Sequence, residues 1–173
     1  MAKRKGSTTA AGTPAIRVLT EAGVTFEAHA FEAEDRSRDG AAGSFGAEAA
    51  DALGVDHDRV FKTLLADVDG RLWVAVVPVS TQLDLKALAA AAGGKRAAMA
   101  DPARAERSSG YVVGGISPLG QRTPLPTVVD ESALAHPTVY VSGGRRGLDL
   151  ELNGADLVRL TSARTARISS ARS

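Results

Sequence analysis

Two apolar runs that meet at Asp69-Gly70 constrain this chain more than any other feature. Val60 to Val68 and Arg71 to Val77 are rich in β-branched residues. Asp-Gly is a favoured two-residue turn pair between such runs, so the segment is predicted to be a β-hairpin that Pro78 closes. Within the first run, a period of two puts Lys62 on the same face as Val60, Leu64, Ala66 and Val68. Two readings of that lysine stand. Either the face is an outer one and the stem snorkels past the sheet edge, or Lys62 projects into a pocket. In a pocket, its point charge and three donors suit a phosphate, a carboxylate or a developing oxyanion.

Helix and strand signals alternate irregularly around the hairpin. Thr13-Pro14 reads as an N-cap followed by proline at the first helical position, and Gly23 ends that helix. Val24 to Ala30 alternates as a half-buried strand, residues 32–43 read as a loop, and Ala47 to Leu53 as a helix stopped by Gly54. Leu83 to Ala92 is predicted helical and Lys95 to Met99 a short strand. A further helix begins at Asp101-Pro102, and Thr127 to Val129 is extended. Glu131 to Leu134 is a short helix, and Ala155 to Leu160 the last one. Thr138 to Ser142 and Leu148 to Leu152 form a second strand pair across Gly143 to Gly147. Two antiparallel hairpins among scattered helices predict an α+β fold with a mixed, mostly antiparallel sheet, not a doubly wound parallel one.

The chain of 173 residues is read as one compact domain over residues 13–160, between basic tails at 1–12 and 161–173. With only 4% aromatic residues, Ala, Val and Leu must fill its core. Cysteine is absent, which excludes disulfides, thiol catalysis by the protein and thiolate metal sites. No apolar run is long enough to cross a bilayer and no export signal is evident, so a soluble, cytoplasmic protein without membrane partners is expected. The formal net charge of +1 hides an asymmetry: residues 13–160 carry 15 basic and 20 acidic side chains. Such a body is a poor general nucleic-acid binder. Contact with a polyanion is expected to be local, through the tails or through Arg145-Arg146.

The usual catalytic signatures are missing. His29, His57 and His136 lack partners at metal-site spacing, and His29 and His136 read as surface or capping residues. Gly-x-Ser-x-Gly, phosphate-loop and Gly-x-Gly-x-x-Gly patterns do not occur. The segment Tyr111-Val112-Val113-Gly114-Gly115-Ile116-Ser117-Pro118-Leu119-Gly120 is too glycine-rich for a helix and too apolar for a solvated loop. Its glycines would let backbone N–H groups approach a ligand closely. Asp149 alternates with leucines and shares a face with Glu151, as a solvated strand residue or as part of a second ligand turn.

Taken together, these segments resemble the YbaK family of bacterial aminoacyl-tRNA deacylases, relatives of the editing domain of bacterial prolyl-tRNA synthetases. The resemblance runs in order over roughly residues 13–160. It rests on Thr13-Pro14-Ala15, Val60-Phe61-Lys62-Thr63-Leu64, Gln82-Leu83-Asp84-Leu85-Lys86, Met99-Ala100-Asp101-Pro102, the glycine segment from Gly110 to Gly120, and Val141 to Asp149. It implies a central, partly barrel-like sheet flanked by helices, with no metal and no organic cofactor. Lys62 matches the family's essential lysine, and Gly114 and Gly115 the glycine loop that faces the ester. Asp149 joins these three as catalytic. Ser142, Thr63, Ile116, Ser117, Gly143 and Gly144 are implied as substrate-binding, with Phe31 where family members often carry a tyrosine. The stretch from Arg36 to Gly43 is longer than usual for the family.

By the same resemblance, the substrate is the tRNA 3′ adenosine esterified to cysteine, mischarged on proline tRNA or on cysteine tRNA. The substrate thiol attacks its own carbonyl, and water then opens the cyclic thioester. The partners implied are the aminoacyl-tRNA 3′ end and, transiently, prolyl-tRNA synthetase, with monomer and homodimer both open. Two rivals stand beside this reading: a same-fold deacylase for another small amino acid such as alanine, and a non-catalytic module for a tRNA end or a synthetase.

Overall fold

A computed structural model describes residues 12–33 and 42–171. The basic N-terminal tail and most of the long stretch before Gly43 lie outside the described residues. Helix α1 (Pro14–Ala22) starts where the sequence predicts: the Thr13 side chain accepts from Ile16 N–H at 3.2 Å, and Gly23 closes the helix at φ +69. Strand β1 (Phe26–Ala30) follows, then α2 (Ala42–Leu53), which begins five residues earlier than its apolar pattern suggests, and a 3₁₀ turn at His57–Arg59. The hairpin is β2 (Phe61–Val68) and β3 (Arg71–Pro78), with Asp69 at φ 52 and Gly70 at φ 94 in the turn. Two positive φ values in a row are what a turn matching strand twist requires.

Leu83 belongs to a short strand, β4 (Thr81–Leu83), and α3 (Leu85–Ala91) begins only after Asp84, whose carboxylate caps Ala87 N–H. The remaining elements are β5 (Ala97–Met99), α4 (Pro102–Ser109), β6 (Thr127–Asp130) and a 3₁₀ turn at Glu131–Ala135. They are followed by β7 (Val139–Arg145), β8 (Leu148–Leu152), α5 (Gly154–Thr161), β9 (Arg164–Ala166) and β10 (Ser169–Ala171).

Among the described residues the strands form three sheets: β5-β2-β3-β6-β9, β1-β8-β7 and the pair β10-β4. Only β3-β6 and β6-β9 are parallel, so the sheet is mixed and mostly antiparallel, as predicted. The implied barrel-like character is corrected: no closed sheet is present among the described residues. The five-stranded sheet ends at β5 and β9, and a single parallel bridge, Val60 to Tyr140, links its β2 side to β7. The 3₁₀ turn at His57–Arg59 takes the chain out of extended geometry just before that bridge, so no ladder extends from it toward the N-terminal side.

A core is buried on each face of the larger sheet. In β3, Leu72, Val74 and Val76 point toward α1, β7 and β8, while Trp73, Ala75 and Val77 point toward α3. Burial on both faces explains why β3 reads as one continuous apolar run. The expected basic tail at 161–173 carries two strands among its described residues. Arg164 to Ala166 pairs with β6, Ser169 to Ala171 with β4, and Ile168 between them is fully buried. The Asp130 carboxylate anchors this return by accepting from Ile168 N–H at 2.9 Å and Ser169 N–H at 3.1 Å.

Candidate functional site

Where β2, the start of α4, the glycine segment and the β7–β8 turn converge, they enclose a cavity of about 370 Å³. A volume in this range suits a small ligand. Lys62 and Gly114 both line it, together with Phe31, Thr63, Ile116, Ser142 and Asp149. Of the other expected site residues, Gly115, Ser117, Gly143 and Gly144 do not. Of the two open readings of Lys62, the pocket describes its position. Lys62 is half-buried, and its ammonium donates to the Thr81 carbonyl at 2.8 Å.

Close packing between chain segments explains the glycines outside the cavity. A Cβ at Gly115 would lie 2.7 Å from Arg145 Cα, and one at Gly144 would lie 2.8 Å from Tyr111 Cε1. The Gly115 N–H donates to the Val112 carbonyl at 2.9 Å and is committed to a turn. Gly114, at φ +93, is the glycine of this loop that lines the cavity, beside Gly46 and Gly147 from other segments. Tyr111 holds the loop closed: its hydroxyl donates to the Leu119 carbonyl at 2.7 Å, and burial pushes it up to about 12. Ser117 is fully buried, and its hydroxyl accepts from Leu119 N–H at 3.2 Å. Sequence reasoning read glycine abundance as ligand contact. Most of it serves the seating of this loop against α1 and the β7–β8 turn.

Asp149 is the unusual group. It is 6% exposed, and burial raises its carboxyl to about 7. Its β7 neighbour in register is Ser142, whose hydroxyl accepts from Gly144 N–H at 3.2 Å, and its β1 neighbour is His29. Residues opposite one another in antiparallel strands share a face, so Ser142, Asp149 and His29 form one polar row. His29, expected at the surface, is half-buried and lies 2.9 Å from Glu151 Oε1. Burial pushes the Glu151 carboxyl upward, but hydrogen bonds from Thr138, His29 and Tyr140 together hold it below its usual range. Thr63 adds a further polar group to the cavity wall, a buried hydroxyl without a hydrogen-bond partner among the described residues.

One group among the described residues, Glu27, His29 and Glu151, brings three ligand-type atoms within 4.8 Å of one another. None of them lines the cavity, and Arg59 lies 3.5 Å from the Glu151 carboxylate, so the cluster reads as an ion-pair network. The cavity wall also holds residues to which the sequence assigned no role at the site: Glu48 and Ala49 from α2, and Met99 and Pro102 from the matched stretch Met99-Ala100-Asp101-Pro102 at the start of α4. No local motif marks the α2 pair, because distant segments bring it to the wall. No helix among the described residues is long and apolar enough to cross a membrane.

The fold and its pocket define a small α+β domain with a cavity lined by a lysine, a buried carboxylate and a glycine. The aminoacyl-tRNA editing domain family matches residues 42–160, and the chain belongs to that family. As a member, it is an aminoacyl-tRNA deacylase, an ester-cleaving enzyme. A curated relative from Enterococcus faecalis is 38% identical over 121 residues, which are 69% of this chain and 73% of the relative. It is provisionally named a Cys-tRNA(Pro)/Cys-tRNA(Cys) deacylase, EbsC. Among solved structures, the hypothetical protein APE2540 superposes with a TM-score of 0.80 at 28% identity, covering 91% of this chain and all of that one. A protein described provisionally as a trans-editing enzyme for prolyl tRNA synthetase gives a TM-score of 0.74 at 25% identity, covering 91% of this chain and 98% of that one.

Proposed function

We propose that this deacylase acts in trans on cysteine mischarged onto proline tRNA, and also on cysteinyl-tRNA(Cys). The observation that carries the reading is the meeting of Lys62, Gly114 and Asp149 on one cavity wall, in a chain related to EbsC. The cavity holds an aminoacyl group and part of its ribose. Asp149, with Ser142 beside it, orients the substrate amino group, and Lys62 faces the ribose end of the ester. Gly114 offers backbone polarity to the carbonyl, while Gly115 keeps that loop seated on the β7–β8 turn.

The nucleophile is the substrate thiol. Its sulfur bonds to the ester carbonyl carbon, the carbon–oxygen bond to the ribose breaks, and the ribose oxygen leaves with a proton. Water then opens the cyclic thioester to free cysteine. An intramolecular attack already has the proximity that a bimolecular one lacks, so the protein chiefly holds the pose. The enzyme works in the cytoplasm beside prolyl-tRNA synthetase in a transient complex. An acidic body with few cations supports a partner as the source of tRNA selectivity.

A deacylation panel of cysteinyl-, alanyl-, seryl- and prolyl-tRNA, with and without that synthetase, tests the reading. Cysteinyl-tRNA is expected to be cleaved fastest, and seryl-tRNA poorly despite its similar size. Equal rates on all would replace thiol attack with water attack. Preference for alanyl-tRNA would follow from the apolar wall that Phe31 supplies in place of a tyrosine.

A further inference from the structure

At the β7–β8 turn, Arg145 is both exposed and part of the cavity lining, which places it where the cavity opens. Its guanidinium has no hydrogen-bond or ion-pair partner among the described residues. The turn that carries it is held from two sides. The glycine loop packs so closely that a Cβ at Gly115 would lie 2.7 Å from Arg145 Cα and 2.8 Å from its carbonyl carbon. On the other side, Phe31 N–H donates to the Gly147 carbonyl at 2.9 Å. The charge is therefore presented from a seated backbone, not from a loose loop. Met99, also in the cavity lining, is 49% exposed and offers an apolar thioether surface at the opening. A cation and an apolar surface at one opening match the chemistry of a nucleoside phosphate: a flat base for the thioether and an anionic oxygen for the guanidinium. In a body with more acidic than basic side chains, that local placement stands out.

We propose that the cavity mouth is a nucleotide subsite, in which Arg145 binds the phosphate preceding the terminal adenosine and Met99 packs against the terminal base. The proposal rests on the deacylase reading and extends it from the ester to the RNA. Its test compares wild type, Arg145→Ala and Arg145→Lys on two substrates. One is cysteinyl-tRNA, and the other is cysteinyl-adenosine, the same ester without phosphate. For Arg145→Ala, the ratio of kcat/KM on tRNA to that on the nucleoside ester is expected to fall at least about tenfold, mostly through KM. The slope of log kcat/KM against log salt should shrink by about 0.7, the value for one phosphate contact on a single strand. Arg145→Lys should recover part of both.

An unchanged ratio and salt slope in Arg145→Ala would overturn the proposal, as would equal losses on both substrates. If wild type cleaves neither ester, the deacylase reading fails separately. The subsite is then judged by fluorescence anisotropy with an RNA microhelix ending in CCA. Weaker, less salt-dependent binding by Arg145→Ala upholds it, and identical binding removes it.

Discussion

The ammonium of Lys62 donates to the backbone carbonyl of Thr81 at 2.8 Å, fixing a charge from β2 against the chain that has just left β3. A lysine that lines the cavity and is held this way loses little side-chain freedom at the moment of binding, because its rotamer is already chosen. Substituting Lys62→Ala should reduce kcat/KM on cysteinyl-tRNA at least about 100-fold, while the melting temperature moves by only a few degrees. Turnover near that of wild type would remove this residue from the mechanism.

Asp149 sets a pH dependence of stability. Its folded carboxyl titrates near about 7, above its value of about 3.9 in an unfolded chain. Between those values the folded state binds a proton that the unfolded state has lost, so stability falls as pH rises from about 4 to about 7 and then levels. In Asp149→Asn that fall should be absent, so the variant gains on wild type from pH 5 to pH 8 in urea titrations. Parallel stability profiles for the two proteins would contradict this.

Thr63 separates stability from binding. Its hydroxyl is buried, belongs to a cavity-lining residue and has no hydrogen-bond partner among the described residues, so Thr63→Val removes an unsatisfied polar atom while keeping shape. Melting should stay level or rise, and kcat/KM should drop about tenfold when the hydroxyl binds substrate. Full activity in a stabilised variant would assign Thr63 to packing alone.

Gly115 reports on the seating of the glycine loop. A methyl group there would meet the Arg145 backbone, which cannot yield without moving the turn. Gly115→Ala should destabilise the fold by about 1–3 kcal/mol in chemical denaturation and slow deacylation besides. A variant as stable as wild type would show that the loop and the turn can separate.

Asp130 tests the C-terminal return. Its carboxylate accepts from Ile168, Ser169 and both the amide and hydroxyl of Ser132. Asp130→Ala leaves buried N–H groups without partners and should cost about 2–4 kcal/mol. Limited proteolysis should then cut near Ile168 first. Protection equal to wild type would mean that β9 and β10 hold the segment unaided.

Local chemistry made much of the fold legible. Thr13-Pro14 and Asp101-Pro102 cap their helices, and Asp69-Gly70 turns its hairpin, because the determining contacts lie within a few residues. The misread parts depend on partners far along the chain. Leu83 left its helical pattern for a strand because Ser169 pairs with it. Residues 161–173 read as a basic tail because cations without acids dominate their composition, yet one buried isoleucine and the Asp130 carboxylate fix the segment to the sheet. The open sheet, in place of a partly barrel-like one, was decided by pairing between distant strands: β2 and β7 meet in a single bridge, not a ladder, which no local pattern of residues encodes.

For the site, the sequence by itself determined which groups exist: a lysine in an apolar run, a glycine-rich segment, and an aspartate among leucines. Only the tertiary structure decided that Lys62, Gly114 and Asp149 share a cavity, while Gly115 and Gly144 serve close packing. The physical reason is that residue type fixes donors, charges and backbone freedom, whereas burial and facing direction are set by segments as much as a hundred residues away.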